Sequence, residues 1–102
     1  MDNRPHRKLI VWQKSMEFVR ESYRVSASFP KSEEYGLSSQ MRRAAVSIPS
    51  NMAEGAARKG KKEFRQLINI AQGSISELDT QLELAYMLGY IDAGIHVYMT
   101  TK

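Results

Sequence analysis

The highest density of charge in this sequence is a group of five cations within eight residues: Arg58, Lys59, Lys61, Lys62 and Arg65. We call this group the basic corner. Lysine and arginine neutralise nucleic-acid phosphates and release counterions, so the affinity that they provide falls as salt rises. One hypothesis is therefore non-specific contact with RNA or DNA. The alternative is a solvated turn whose cations favour the C-terminal end of a helix.

The residues that usually perform catalysis are not arranged for it. Glu77, Asp79 and Glu83 are acids without a histidine at metal-ligand spacing, since His6 lies in the predicted flexible N-terminus and His96 in the weak last helix. The serines lack a nucleophile elbow, and the glycines are isolated rather than grouped in a phosphate loop. We therefore predict a protein that is not an enzyme and that uses no metal or cofactor.

Two arginines and several tyrosines also carry binding chemistry. Arg42 and Arg43 precede Glu54 by about three helical turns, so we expect salt bridges between helices or subunits, with ligand contact as the alternative. Four tyrosines have rings that could stack on bases, although they are not interleaved with the basic corner. They are Tyr35, Tyr86, Tyr90 and Tyr98.

Apolar residues recur at steps of three and four along most of the chain, which indicates helices. We predict helices at about 9–28, 33–57, 62–88 and 92–102, after a flexible basic N-terminus at 1–8. Short connections between long helices favour antiparallel neighbours. The predicted fold is all-α, a single domain over 9–102 that forms an antiparallel up-and-down four-helix bundle with a shortened or atypical fourth helix.

The same periodicity predicts which faces are buried. In the first helix the expected face is Leu9, Trp12, Met16, Val19 and Tyr23. In the third helix it is Phe64, Leu67, Ile68, Ala71, Ile75, Leu78, Leu82, Ala85 and Leu88. A second apolar stripe on the third helix is typical of a central helix or of one that lines an interface. That stripe comprises Ile70, Leu84, Met87 and Ile91.

The second helix contains Pro49, which removes a backbone donor and disfavours a straight helix by about 3 kcal/mol. Its apolar stripe continues past the proline, which predicts a kinked helix packed on both sides of the bend. Ser47, Ser50 and Asn51 flank the kink, and we expect their side chains to satisfy carbonyls that the proline frees.

Three residues are expected to mark helix ends. Ser32, followed by acids, resembles the N-cap of the second helix. Gly89 is expected to end the third helix, and Asp92 to cap the fourth.

The bulk composition is that of an ordinary globular protein. The 102 residues are 42% hydrophobic and 25% charged, and the net charge of +4 permits an acidic partner without requiring one. There is no cysteine, so a reducing cytoplasm is the expected compartment. No apolar run approaches the ~20 residues that a membrane-spanning helix needs, so we expect no membrane partner.

Four stretches together resemble a known family. They are 9–14 (LIVWQK), 35–55 (YGLSSQMRRAAVSIPSNMAEG), 61–64 (KKEF) and 71–82 (AQGSISELDTQL). They are similar to the opening segment, the proline-containing signature and the third helix of the four-helix bundle protein encoded in intervening sequences of bacterial 23S ribosomal RNA genes. The resemblance covers about residues 9–91, and the proline-containing signature is its most specific part.

This resemblance implies a homo-oligomer, with a homopentameric ring as one known form. A related branch comprises accessory proteins of diversity-generating retroelements, which bind nucleic acid through a basic surface and work with a reverse transcriptase. For most members the function is unassigned, and no catalytic residues carry over. The leading hypothesis is thus a non-enzymatic oligomer with weak nucleic-acid binding. The second is an adaptor that docks a partner such as a reverse transcriptase through an apolar helix face.

The sequence departs from the family pattern after Ile91, where 95–100 (IHVYMT) does not resemble the long acidic fourth helix. We expect part of the groove formed by the first three helices to be exposed as a result. Either the gene product is truncated, or oligomerisation covers the groove.

Overall fold

A computed structural model describes residues 4–100, and all regular secondary structure in that range is helical. The four α-helices are α1 (Ile10–Ser26), α2 (Leu37–Ala57), α3 (Lys61–Met87) and α4 (Ala93–Thr100). Two short 3₁₀ turns, Pro5–Lys8 and Lys31–Glu33, precede α1 and α2. The predicted all-α four-helix fold is confirmed. The 3₁₀ turn at Pro5–Lys8 falls in the segment that was predicted to be flexible, while residues 1–3, 101 and 102 lie outside the described range.

The fourth helix is short, as predicted. Among residues 4–100 it has eight residues against 27 in α3, which correspond to about 12 Å and about 40 Å of helix. Helix α4 contacts α3, and its Met99 is buried against the core. Most of the length of α3 therefore has no partner in α4.

The central element of the bundle is α2. It contacts both α1 and α3, whereas within residues 4–100 no Cα of α1 lies within 8 Å of a Cα of α3. The buried core follows from this arrangement, with its largest contribution from α2 and α3. Its members are Phe29, Leu37, Met41, Ala44, Ala45, Ile48, Met52, Leu78, Leu82, Ala85, Ile91 and Met99.

The buried face of α1 differs from the predicted one. Leu9, Met16 and Tyr23 are exposed, while Trp12 and Val19 are only partly buried. The prediction of this face was wrong because periodicity identifies an apolar stripe without saying whether a neighbouring helix covers it.

Three serines lie at the buried positions of α1 instead: Ser15, Ser22 and Ser26. The Ser22 hydroxyl donates to the Phe18 carbonyl at 2.8 Å, and the Ser15 hydroxyl donates to the Trp12 carbonyl at 2.7 Å. A hydroxyl that bonds within its own helix can be buried without an unsatisfied donor. Small side chains at these positions also let α1 pack closely on α2.

The start of α2 also differs from the prediction. The helix begins at Leu37 rather than at residue 33, and the N-cap position is Gly36, so Ser32 is not the N-cap. The Glu33 carboxylate accepts from the Leu37 N–H at 3.0 Å and from the Tyr90 hydroxyl at 2.8 Å. Glu33 therefore supplies the side-chain acceptor that was expected from Ser32, and it also ties α2 to the segment after α3.

These hydrogen bonds shift the pKa values of Glu33 and Tyr90 in opposite directions. The bonds from the Leu37 N–H and the Tyr90 hydroxyl favour the charged carboxylate, so the pKa of Glu33 lies below its ordinary value of 4.5. The same bond to Glu33 favours the neutral phenol, so the pKa of Tyr90 lies above its ordinary value of 10.0.

Helix α2 continues through Pro49, which is buried. The Asn51 side-chain amide donates to the Ser47 carbonyl at 2.7 Å and to the Ser47 hydroxyl at 2.9 Å. The carbonyl that a proline deprives of its donor lies four residues earlier, so Asn51 bonds a different carbonyl from the expected one. The Ser74 hydroxyl of α3 donates to Ser47 at 2.8 Å, and Ser50 is exposed. This polar group links α2 to α3 beside the proline.

The other two helix ends agree with the prediction. Gly89 has a φ of +79°, and the Tyr90 N–H donates to the Ala85 carbonyl at 2.8 Å, which is the bond that closes a Schellman motif at the end of α3. The Asp92 carboxylate accepts from the Ile95 N–H at 2.8 Å and so caps α4.

Candidate nucleic-acid interface

The five cations of the basic corner all lie at one end of the bundle. Arg58 is the C-cap of α2, Lys59 lies in the turn, and Lys61 begins α3. Lys62 and Arg65 follow in the first two turns of α3, and all five side chains are exposed. The helices therefore present these charges together and in contact with solvent.

One cation of the basic corner is paired. An Arg58 terminal nitrogen lies 2.8 Å from Glu54 Oε1, and both side chains are about half exposed. Within residues 4–100, none of the other four cations forms an ion pair. These are Lys59, Lys61, Lys62 and Arg65. They remain available to an anionic ligand.

The second acid in this region is turned toward the backbone. The Glu63 carboxylate folds back over Gly60, the N-cap residue of α3, where a Cβ would collide with it. A carboxylate near a helix N-terminus is favoured by the helix dipole. The region thus holds five positive charges and two negative ones, and the potential at its surface is positive.

Phe64 belongs to this surface rather than to the core. The periodicity placed its ring in the buried face of α3, but 44% of the residue is exposed, between Lys62 and Arg65. The cations next to Phe64 in the sequence indicate an exposed ring. The apolar periodicity of α3 indicated a buried one, and that prediction was wrong. An exposed ring among cations can stack on a nucleobase.

Within residues 4–100 the two arginines of α2 form no salt bridge between helices, and Glu54 pairs with Arg58. A salt bridge between subunits stays a prediction. Arg42 Nε instead donates to the Ser26 hydroxyl of α1 at 2.8 Å. The Arg42 guanidinium carbon also lies 4.8 Å from the centroid of the Tyr23 ring, which is a cation–π contact. Arg42 therefore links α1 to α2, and Arg43 beside it is exposed.

Two of the predicted stacking tyrosines already contact another ring of this chain. The Tyr90 ring packs on Phe29, with centroids 5.4 Å apart, and its hydroxyl donates to Glu33. The Tyr86 ring stacks on His96, with centroids 5.0 Å apart. Tyr35, by contrast, is 91% exposed in the turn before α2. Within the described part of the chain, no group of three or more metal-ligating side chains comes together.

An apolar groove runs between α1 and α3. The α2 residues Ile48 and Met52 line it, and it encloses about 540 Å³. The apolar side chains from the other helices that line it are Val11, Phe18, Ile75, Leu78, Leu82 and Met99. The expected exposure of a groove among the first three helices therefore matches the structure.

The second stripe of α3 is a separate surface. Ile70 and Leu84 are exposed and do not line the groove, and Met87 is also exposed. Ile91 is buried in the core, so it does not belong to that stripe.

No helix among residues 4–100 combines the length and the apolar character needed to cross a membrane.

Comparison with known proteins bears on the identity of the chain. A search of curated proteins finds no match. The family model described as 23S rRNA-intervening sequence protein matches residues 7–101, which is nearly the whole chain. That match includes all four helices, the basic corner and Pro49. The chain therefore belongs to the 23S rRNA-intervening sequence protein family.

Proposed function

We propose that this protein is a non-enzymatic, homo-oligomeric helical bundle that contacts nucleic acid without sequence specificity through the basic corner. The observation that carries the proposal is the set of four exposed cations at the α2–α3 turn that have no ion-pair partner among residues 4–100. Contacts to phosphates fix position and add affinity but do not read sequence. Four cations give a small footprint, so the affinity of one protomer is weak.

Oligomerisation would strengthen this contact. Exposed apolar side chains support oligomerisation, since contiguous apolar surface on a soluble protein marks an interaction site. On α1 and α3 they include Ile10, Val11, Met16, Ile70, Ile75, Leu84 and Met87. A ring would repeat the basic corner on one rim and multiply the affinity through multivalency. Light scattering should give a mass well above that of the 11.6 kDa chain, and a monomer at all concentrations would refute this part of the proposal.

The basic corner is tested by charge reversal. The variant with Lys59→Glu, Lys61→Glu and Lys62→Glu should lose retention on double-stranded DNA and RNA at low salt, by about tenfold or more in affinity. Its helicity by circular dichroism should be unchanged, because all three side chains are exposed.

A matched control separates local from global charge. Lys14→Glu, Arg20→Glu and Lys31→Glu reverse three exposed cations elsewhere and change the net charge by the same amount. This control should retain most of the duplex binding. Equal losses in the two variants would mean that net charge, rather than the basic corner, holds the nucleic acid.

The apolar groove favours a second candidate function, an adaptor that docks a partner such as a reverse transcriptase. An apolar helix of the partner would cover Phe18 and Ile75 in the groove. Such binding would resist added salt, because apolar burial is not screened as charge contacts are.

The adaptor function is tested with a purified reverse transcriptase. Ile75→Lys should abolish salt-resistant binding if the groove is the docking face, and Ile70→Lys or Leu84→Lys should abolish it if the second stripe of α3 is. Binding that disappears at high salt in the unmodified protein would argue against an adaptor of either kind.

A further inference from the structure

Aromatic rings and arginines also meet at the opposite end of α2 from the basic corner. A shallow open pocket of about 490 Å³ is lined by Tyr23 of α1, Tyr35 of the turn before α2, and Arg42 and Arg43 of α2. We call these four residues the tyrosine–arginine site. The acid that lines the same pocket is Glu34.

Arg42 is held in place within this site. Its Nε donates to Ser26 at 2.8 Å, and its guanidinium packs over the Tyr23 ring at 4.8 Å. Arginine carries five N–H donors, so the bond to Ser26 leaves its terminal nitrogens available to a ligand. A guanidinium that is already oriented loses less side-chain entropy when it binds an anion.

Tyr35 and Arg43 supply the exposed part of the site. Tyr35 is 91% exposed, and Arg43 is exposed and forms no ion pair within residues 4–100. A tyrosine ring offers a flat apolar face with little conformational freedom to lose. The site therefore presents an exposed ring beside two guanidinium groups, one held by Ser26 and Tyr23 and one exposed on the helix surface.

We propose that the tyrosine–arginine site binds single-stranded nucleic acid, with a base stacked on Tyr35 and the adjoining phosphate on Arg42 and Arg43. Bases of a single strand expose their faces to aromatic rings, whereas the bases of a duplex are stacked on one another. Arginine binds phosphate through paired N–H donors. The proposal goes beyond the basic corner, since it involves different residues and a different feature of the ligand.

The decisive variant is Tyr35→Ala, tested by fluorescence anisotropy with labelled oligouridine and oligodeoxyuridine strands, which differ only in the 2′-hydroxyl. Loss of one stacked base should weaken single-strand binding about five- to tenfold and leave duplex binding unchanged. Tyr35→Phe keeps the ring and should restore binding. Tyr98→Ala removes another exposed tyrosine, on α4, and should have no effect. Glu34→Gln should strengthen binding, because it removes the acid from the pocket.

The two probes distinguish the kinds of strand. Equal losses for both would assign the site to single strands in general, and a loss confined to oligouridine would assign it to RNA through the 2′-hydroxyl. Unchanged single-strand binding by Tyr35→Ala would overturn the proposal. The proposal would also be overturned if Tyr35→Ala weakened binding of polyglutamate as much as binding of single strands. Polyglutamate carries charge without bases, so that result would indicate an acidic protein partner. Neither result depends on duplex retention by the basic corner, so the two proposals can fail separately.

Discussion

The two ends of α2 carry arginine in different settings. At the N-terminal end, Arg42 bonds Ser26 and covers the Tyr23 ring, and Glu33 joins the helix start to Tyr90. At the C-terminal end, Arg58 has only an exposed ion pair with Glu54. The first end is connected to its neighbours by polar contacts, whereas the second projects its charges into solvent.

This difference shows two ways in which a bundle can present cations. Exposed lysines next to a turn contact the phosphates of a polyanion without requiring a fixed geometry. A guanidinium fixed between two helices, beside an exposed ring, has one orientation and favours a ligand with a base and a phosphate in a set geometry. The two ends are therefore suited to different features of one class of ligand.

Truncating a core side chain should produce the largest effect on the free energy of unfolding. Leu82 is 1% exposed and packs in the cluster that joins α2 to α3. Leu82→Ala should lower the free energy of unfolding by about 2–5 kcal/mol in urea titrations, through lost burial and a cavity. Leu84→Ala changes an exposed leucine two residues away and should cost about 0.5 kcal/mol or less. Similar losses in both variants would contradict the assigned core face.

An intermediate effect is expected from Glu33, which belongs to the connected end alone. Glu33→Gln replaces a charged acceptor with a neutral one and should lower the free energy of unfolding near neutral pH. The pKa of Glu33 is lowered by folding, so its contribution is present above 4.5 and is lost as the pH falls through the lowered value. The difference between variant and unmodified protein should therefore stay constant from about pH 7 to about pH 5 and shrink as the pH falls below 4.5.

The control for this experiment is Glu34→Gln, the exposed neighbour on the same turn. Its stability difference should stay small at every pH. The urea midpoint of Glu33→Gln and that of the unmodified protein are each plotted against pH. If the two curves stay parallel as the pH falls below 4.5, the charged carboxylate does not stabilise the fold.

The smallest effect should come from the Arg58–Glu54 pair at the projecting end. A double-mutant cycle with Arg58→Ala and Glu54→Ala should give a coupling free energy of about 0.3–0.5 kcal/mol, because exposed i,i+4 pairs gain little over hydration. Added salt should reduce it further. A coupling well above about 1 kcal/mol would show that this end is also held by its polar contacts, and the comparison would fail.

The sequence predicted the helices of this molecule better than it predicted their packing. The Schellman end at Gly89 and the cap at Asp92 depend on one or two neighbouring residues, so local chemistry specifies them. The buried serines of α1 were missed because burial depends on how closely α2 approaches. Glu33 was missed as the helix-start acceptor because Tyr90, its second partner, lies 57 residues away.

The candidate sites divide in the same way. The basic corner is nearly continuous in sequence, so charge density alone identified it. The tyrosine–arginine site combines one helix, a turn and another helix, and it exists only because α1 packs on α2. Tyr23 was expected in the core, and Arg42 and Arg43 were expected in salt bridges. Only the tertiary contacts could place these residues beside Tyr35.

The most direct test of the basic corner is the salt dependence of duplex binding. A plot of log affinity against log salt should be steep and linear for the unmodified protein, and each phosphate-contacting cation that is lost should reduce the slope by about one. The variant with Lys59→Glu, Lys61→Glu and Lys62→Glu should therefore lose about three units of slope together with most of its affinity at low salt. The same slope in both proteins, or an affinity that does not change with salt, would contradict a phosphate-binding role for the basic corner.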